Sequence, residues 1–149
     1  MPSRLSSHIM EAFMDFDSII WLILGLLLLI AFEFLWFFRK RGKLTKRDQD
    51  FIKKEYQEIQ KMAERDVKHA ILMSDKLFDY VLLKRGFPGS LGDKLKRAES
   101  FFSSPNNVWA AHKLRNRIVH EVGFEPLAQE VSKALSSYKQ ALWELGVRF

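Results

Sequence analysis

The chain has 149 residues, enough for one modest domain plus an appendage, and 28% of its side chains are charged. It contains no cysteine, which excludes disulfide scaffolds, thiolate metal sites and cysteine nucleophiles together. The formal charge of +6 points to an anionic partner, nucleic acid or a lipid surface, once that charge is located along the chain.

Residues 1–17 read as an N-terminal tail. From Ser18 to Phe38 the chain is almost continuously apolar over about 20 residues, a length that matches about 30 Å of hydrocarbon. The expectation is a single transmembrane helix over 18–38, with Trp21 and Trp36 near its two ends and Glu33 as its one carboxylate. Arg4 is the only basic residue before this run, whereas Arg39, Lys40, Arg41, Lys43, Lys46 and Arg47 follow it. That asymmetry predicts a cell-membrane protein with its tail outside and its C-terminal part cytoplasmic, the six basic residues touching the surface of the lipid bilayer.

Residues 39–65 form a basic segment and stalk. Thr45 and Asp48 have capping-box spacing, opening a helix from Lys46 to Glu64 with apolar positions Phe51, Ile52, Tyr56, Ile59 and Met62. Val67, Ala70, Ile71, Ser74, Leu77, Phe78, Val81 and Leu82 then recur at helical steps. With no Pro or Gly between Lys46 and Arg85, these are one long helix or two that bend near Ala63 to Asp66.

Gly86, Pro88 and Gly89 break the pattern, and Ser90 caps a short helix to about Phe102. Ser104 and Pro105 open a third helix through Trp109, Ala111, Leu114, Ile118 and Val119, with Gly123 as its stop. Pro126 opens the last, whose apolar face is Leu127, Val131, Ala134, Leu135, Tyr138, Ala141, Leu142 and Leu145, before Gly146. No alternating strand pattern competes. The fold class is therefore all-α: the transmembrane helix, then a bundle of about four helices over 66–149. Trp109 and Trp143 are expected in its core, and His69 and His112 as partly exposed helical residues.

The third helix carries the polar series His112, Arg115, Asn116, Arg117, His120 and Glu121. His112, Asn116 and His120 share one side, and Arg117 with Glu121 is an ordinary i, i+4 pair. Arg115 and His120, five apart, lie about 140 degrees apart around an ideal helix, so a site using both needs a second chain or a bent helix end.

The run LRNRIVHE, Leu114 to Glu121, within a small helical bundle resembles the Arg-Asn-x3-His signature of HEPN (higher eukaryotes and prokaryotes nucleotide-binding) domains, and the likeness extends loosely from Asp66 to Phe149. The resemblance implies a homodimer whose motif helices meet across a two-fold axis, and a metal-independent endoribonuclease of a toxin, defence or RNA-processing type. It places Arg115 and His120 in the catalytic pair with Asn116 as polar companion, needs no cofactor or metal, and makes RNA and a partner protein such as an antitoxin the expected partners. Where one branch of the family has a Tyr two residues after the His, this chain has Val122. The chemistry agrees: an imidazole changes charge near neutrality, and a guanidinium suits a developing phosphorane. The alternative is a non-catalytic helical module that binds a partner protein, a nucleotide or RNA. In a third reading the basic segment alone binds nucleic acid non-specifically, with steep salt dependence.

Overall fold

A computed structural model describes residues 18–33 and 42–149, and every element in them is helical. The chain divides into two units, Met1–Arg41 and Gly42–Phe149. In the first, helix α1 covers 18–33, with its side chains exposed. The transmembrane span expected over 18–38 is overturned here: among the described residues no helix is long and apolar enough to cross a membrane. At 1.5 Å per residue, the described part of α1 covers about 24 Å against about 30 Å of hydrocarbon. Trp36, Arg39, Lys40, Arg41 and the tail 1–17 lie outside the described residues.

The second unit contains α2 (Lys46–Ala63), α3 (Val67–Lys84), α4 (Leu91–Ala98), a 3-10 turn (Glu99–Phe101), α5 (Pro105–His120) and α6 (Ala128–Glu144). Of the two possibilities for Lys46 to Arg85, the chain takes the bend: α2 ends at Ala63 with Glu64 as its cap, and the Asp66 carboxylate accepts from the His69 amide to start α3. The segment read as a stalk is part of this unit. Its Ile52 and Ile59 are buried, and α2 packs along α3.

The core assembles around Phe78, whose ring meets Phe102 at 5.8 Å and Tyr138 at 5.6 Å between centroids. Ile71, Val81, Leu82, Leu95, Ala141 and Leu142 complete it. The ends of α3 and α6 turn back in the same way: the Phe87 amide reaches the Leu82 carbonyl and Val147 that of Leu142, each across a glycine of positive φ, Gly86 and Gly146. The residue after each glycine is driven into the core, Phe87 at 3% and Val147 at 0% exposure. Lys94 holds α4 to α3 through a 2.7 Å pair with Asp79.

The start of α2 is held by one carboxylate. Asp48 accepts from the Thr45 amide (3.0 Å) and hydroxyl (2.6 Å), from the Tyr80 hydroxyl (3.2 Å), and pairs with Lys84 at 3.0 Å. The Thr45 hydroxyl, then the Lys84 ammonium beside it, hold this carboxyl well below the usual carboxylate range. Its contribution is therefore complete above the ordinary aspartate value, about pH 4, and declines as acid protonates first the unfolded and then the folded form. Melting the parent and Asp48→Asn at neutral pH and at successively lower pH should show a stability gap that narrows only below about pH 4. A gap independent of pH would contradict this role.

Candidate functional site

One carboxylate sits where it should be costly. Asp75 lies on the buried face of α3, between Ile71 and Phe78 in register, at 4% exposure. A charge there requires partners. They come from α5 and α6: the Tyr138 hydroxyl donates to Oδ1 at 2.7 Å, His112 Nδ1 lies 2.9 Å from the same oxygen, and Arg115 Nε lies 3.3 Å from Oδ2. Burial, with the Asp75 charge beside it, pushes the Tyr138 phenol far up, so it stays a donor.

The network continues outward. Arg115 Nη1 donates to Asn116 Oδ1 at 3.1 Å, which leaves the Asn116 amide nitrogen facing His112 Nε2 at 3.3 Å. Because Asp75 is acceptor only, this chain of bonds assigns His112 the Nδ1–H tautomer, with Nε2 accepting. The Trp109 ring stands edge-on to the imidazole, 6.3 Å between centroids. Three helices are thus joined through one carboxylate, and 28% of the Arg115 side chain still reaches solvent.

The residues singled out from the sequence fall into two sets. Arg115 and Asn116 meet in this network, whereas His120 is exposed at the last position of α5 and shares no side-chain hydrogen bond or ion pair with them among the described residues. Helix α5 is unbroken from Pro105 to His120, so the bent-end route to joining Arg115 and His120 is absent. Beyond it, Glu121 closes the helix and Val122 is fully exposed. Arg117 braces the following loop: its Nε lies 3.3 Å from Glu121, its Nη1 3.4 Å from Glu130, and its guanidinium 4.0 Å from the Phe124 ring centre. Of the basic series after α1, Lys43, Lys46 and Arg47 are exposed around the start of α2.

Asp75 and Tyr138 were not singled out as site residues; His112 is partly exposed on its helix as expected, its side chain at 16%, and its ring joins the network. The signal for Asp75 was available: a carboxylate three or four residues from Ile71 and Phe78 on an apolar stripe needs a buried cation or donors. Among the described residues no group of three His, Asp or Glu side chains is placed to hold a metal ion. Comparison with protein-family models, curated proteins and solved structures finds no match, so a functional reading of this chain stands on the geometry of α5 and the residues that hold it.

Proposed function

We propose that this chain carries a HEPN-like domain that cleaves RNA without a metal, as a dimer in which Arg115 of one copy works with His120 of the other. What supports this most is a single contrast along α5. Arg115 is clamped from behind by a buried carboxylate yet part-open to solvent, while His120, little more than a turn away, is exposed, with no side-chain partner among the described residues.

The chemistry follows from those two states. A guanidinium held in place loses little freedom on meeting a phosphate, and it stabilises charge as it develops on the nonbridging oxygens. The imidazole of His120 takes the proton of an RNA 2′-hydroxyl as that oxygen attacks the adjacent phosphorus, or gives one to the departing 5′-oxygen. The bond to the 5′-oxygen breaks, leaving a 2′,3′-cyclic phosphate and a 5′-hydroxyl. The angular separation of the two residues on an unbroken helix is the reason for the second copy.

A second reading has its own observation. Asp75 already pairs with the Arg115 charge and takes the bonds of Tyr138 and His112, and Asn116 bridges His112 and Arg115, so the network holds α5 without a ligand even though Arg115 Nε makes no hydrogen bond of its own. In that reading the motif locks α5 in place, and the domain binds a partner protein, nucleotide or RNA without cleaving.

The full chain incubated with mixed RNA in EDTA separates the two. Cleavage that ends in 2′,3′-cyclic phosphates and disappears in both Arg115→Ala and His120→Ala supports the nuclease. Intact RNA in the presence of folded parent protein supports the binding module.

A further inference from the structure

Trp143 belongs to the apolar α6, and a place in the core is the expectation for it, yet its side chain is 53% exposed. It is not alone. Phe149 is 40% exposed, and with Ser136, Lys139 and Gln140 the two rings line an open groove of about 560 Å³. Ser136, Lys139, Gln140 and Trp143 follow the i, i+3, i+4, i+7 spacing of one helical face. A separate open hollow that shares Ser136 and Lys139 is lined by Tyr56, Gln60 and Glu64 of the α2 segment.

These aromatic groups are held firmly. Leu145 and Val147 are fully buried, the Gln49 amide donates to the Gly146 carbonyl at 2.8 Å, and the Arg148 amide donates back to Gln49 Oε1 at 3.1 Å. Phe149 packs on Tyr56 with centroids 4.1 Å apart. The Arg148 guanidinium lies 5.2 Å from the Trp143 ring centre, fixed by bonds to the carbonyls of Trp143 and Val147. Rings presented on a pinned backbone lose little freedom when something stacks on them.

The polar groups around the indole select the occupant. Lys139 is exposed and has no ion pair among the described residues. Gln140 spends its amide N–H on Glu144 at 2.9 Å, which leaves its carbonyl oxygen to accept from an amino group. Glu144, one turn beyond Gln140, is occupied by that bond and by the Ser103 hydroxyl and amide, and Glu64 lines the adjoining hollow. An exposed ring between Lys139 and Arg148, in a chain of net charge +6, complements a polyanion that carries flat bases. An apolar partner helix would meet Ser136, Lys139 and Gln140 instead of a continuous greasy stripe.

We infer that this α6 face binds single-stranded nucleic acid, one base stacking on Trp143 and a phosphate pairing with Lys139. The site uses neither Arg115 nor His120 and is independent of cleavage.

The test uses the full chain and a fluorescein-labelled dodecamer of deoxythymidylate, which lacks a 2′-hydroxyl and stays intact whether or not the protein is a nuclease. Fluorescence anisotropy should show Trp143→Ala binding on the order of tenfold more weakly, and Trp143→Phe recovering most of that loss. Lys139→Glu, a change at an exposed residue that leaves the core untouched, should weaken binding severalfold and flatten its salt dependence by about one phosphate contact. Circular dichroism establishes that each variant is folded. Binding by folded Trp143→Ala and Lys139→Glu within twofold of the parent overturns the site. So does a parent protein that ignores the oligonucleotide at low salt, including one whose groove instead takes up a protein partner.

Discussion

Replacing Asp75 by Ala should destabilise the Gly42–Phe149 unit by about 3–5 kcal/mol, the largest loss expected from any single polar substitution in it. The side chain itself is small, so the cost does not come from a cavity. It comes from what remains: a Tyr138 hydroxyl, a His112 ring nitrogen and the Arg115 guanidinium, all facing a site from which their acceptor has gone. A buried donor without an acceptor costs about 1–3 kcal/mol and a buried charge more. For a domain of this size the melting temperature should fall by on the order of 15 °C, read by circular dichroism. Tyr138→Phe, which removes one neutral donor and keeps the ring in the core, should cost only about 1 kcal/mol. The double variant Asp75→Ala with Arg115→Ala should lose less than the two single losses added, because the second change removes the charge that the first leaves stranded. Additive losses, or an Asp75→Ala protein that melts with the parent, would mean that the carboxylate does not organise the three helices.

His120→Ala should have the opposite profile. The residue is exposed at the end of α5 with no side-chain partner among the described residues, so its removal should change stability by no more than about 0.5 kcal/mol. If His120 moves the proton in RNA cleavage, the rate should nonetheless fall by about 10²–10⁴-fold. Arg115→Ala should lose both, since that guanidinium is a partner of Asp75 as well as the group proposed to meet phosphate. The split between a variant that is stable and inactive and one that is unstable and inactive is read by measuring cleavage and melting on the same preparations. A His120→Ala protein that cleaves at the parental rate removes the imidazole from the mechanism.

How far such features show in the sequence depends on whether they are local. Thr45 with Asp48 and Ser90 with Asp93 are capping boxes spanning four residues each, and both form as their spacing implies. The glycines past α3 and α6 are equally local. Pro126 was expected to open α6, but the helix begins at Ala128; the Leu127 amide donates to Glu130 at 2.9 Å, and Leu127 is 69% exposed instead of on the apolar face. The partners of Asp75 were out of reach for a different reason. They lie up to 63 positions away, and periodicity, which puts Asp75 itself on an apolar stripe, does not say which distant polar residues will meet it. Trp143 shows the same limit from the other side: its spacing fits a buried stripe, but the turn at Gly146 brings Arg148 over its ring while Phe149 packs on Tyr56 beside it, at the edge of the bundle. Hydropathy also registered the run 18–38 as composition alone, whereas the helix described there covers 18–33.

The proposal that Arg115 and His120 act from different copies is tested most directly by mixing two inactive proteins. Arg115→Ala and His120→Ala, each purified, then unfolded together and refolded, should form mixed dimers in which one of the two shared sites carries both native side chains. With random pairing, about a quarter of the parental cleavage should return. A mixture that stays as inactive as its components, although light scattering shows dimers and circular dichroism shows folded helices, would contradict the shared site and leave α5 as a structural helix only.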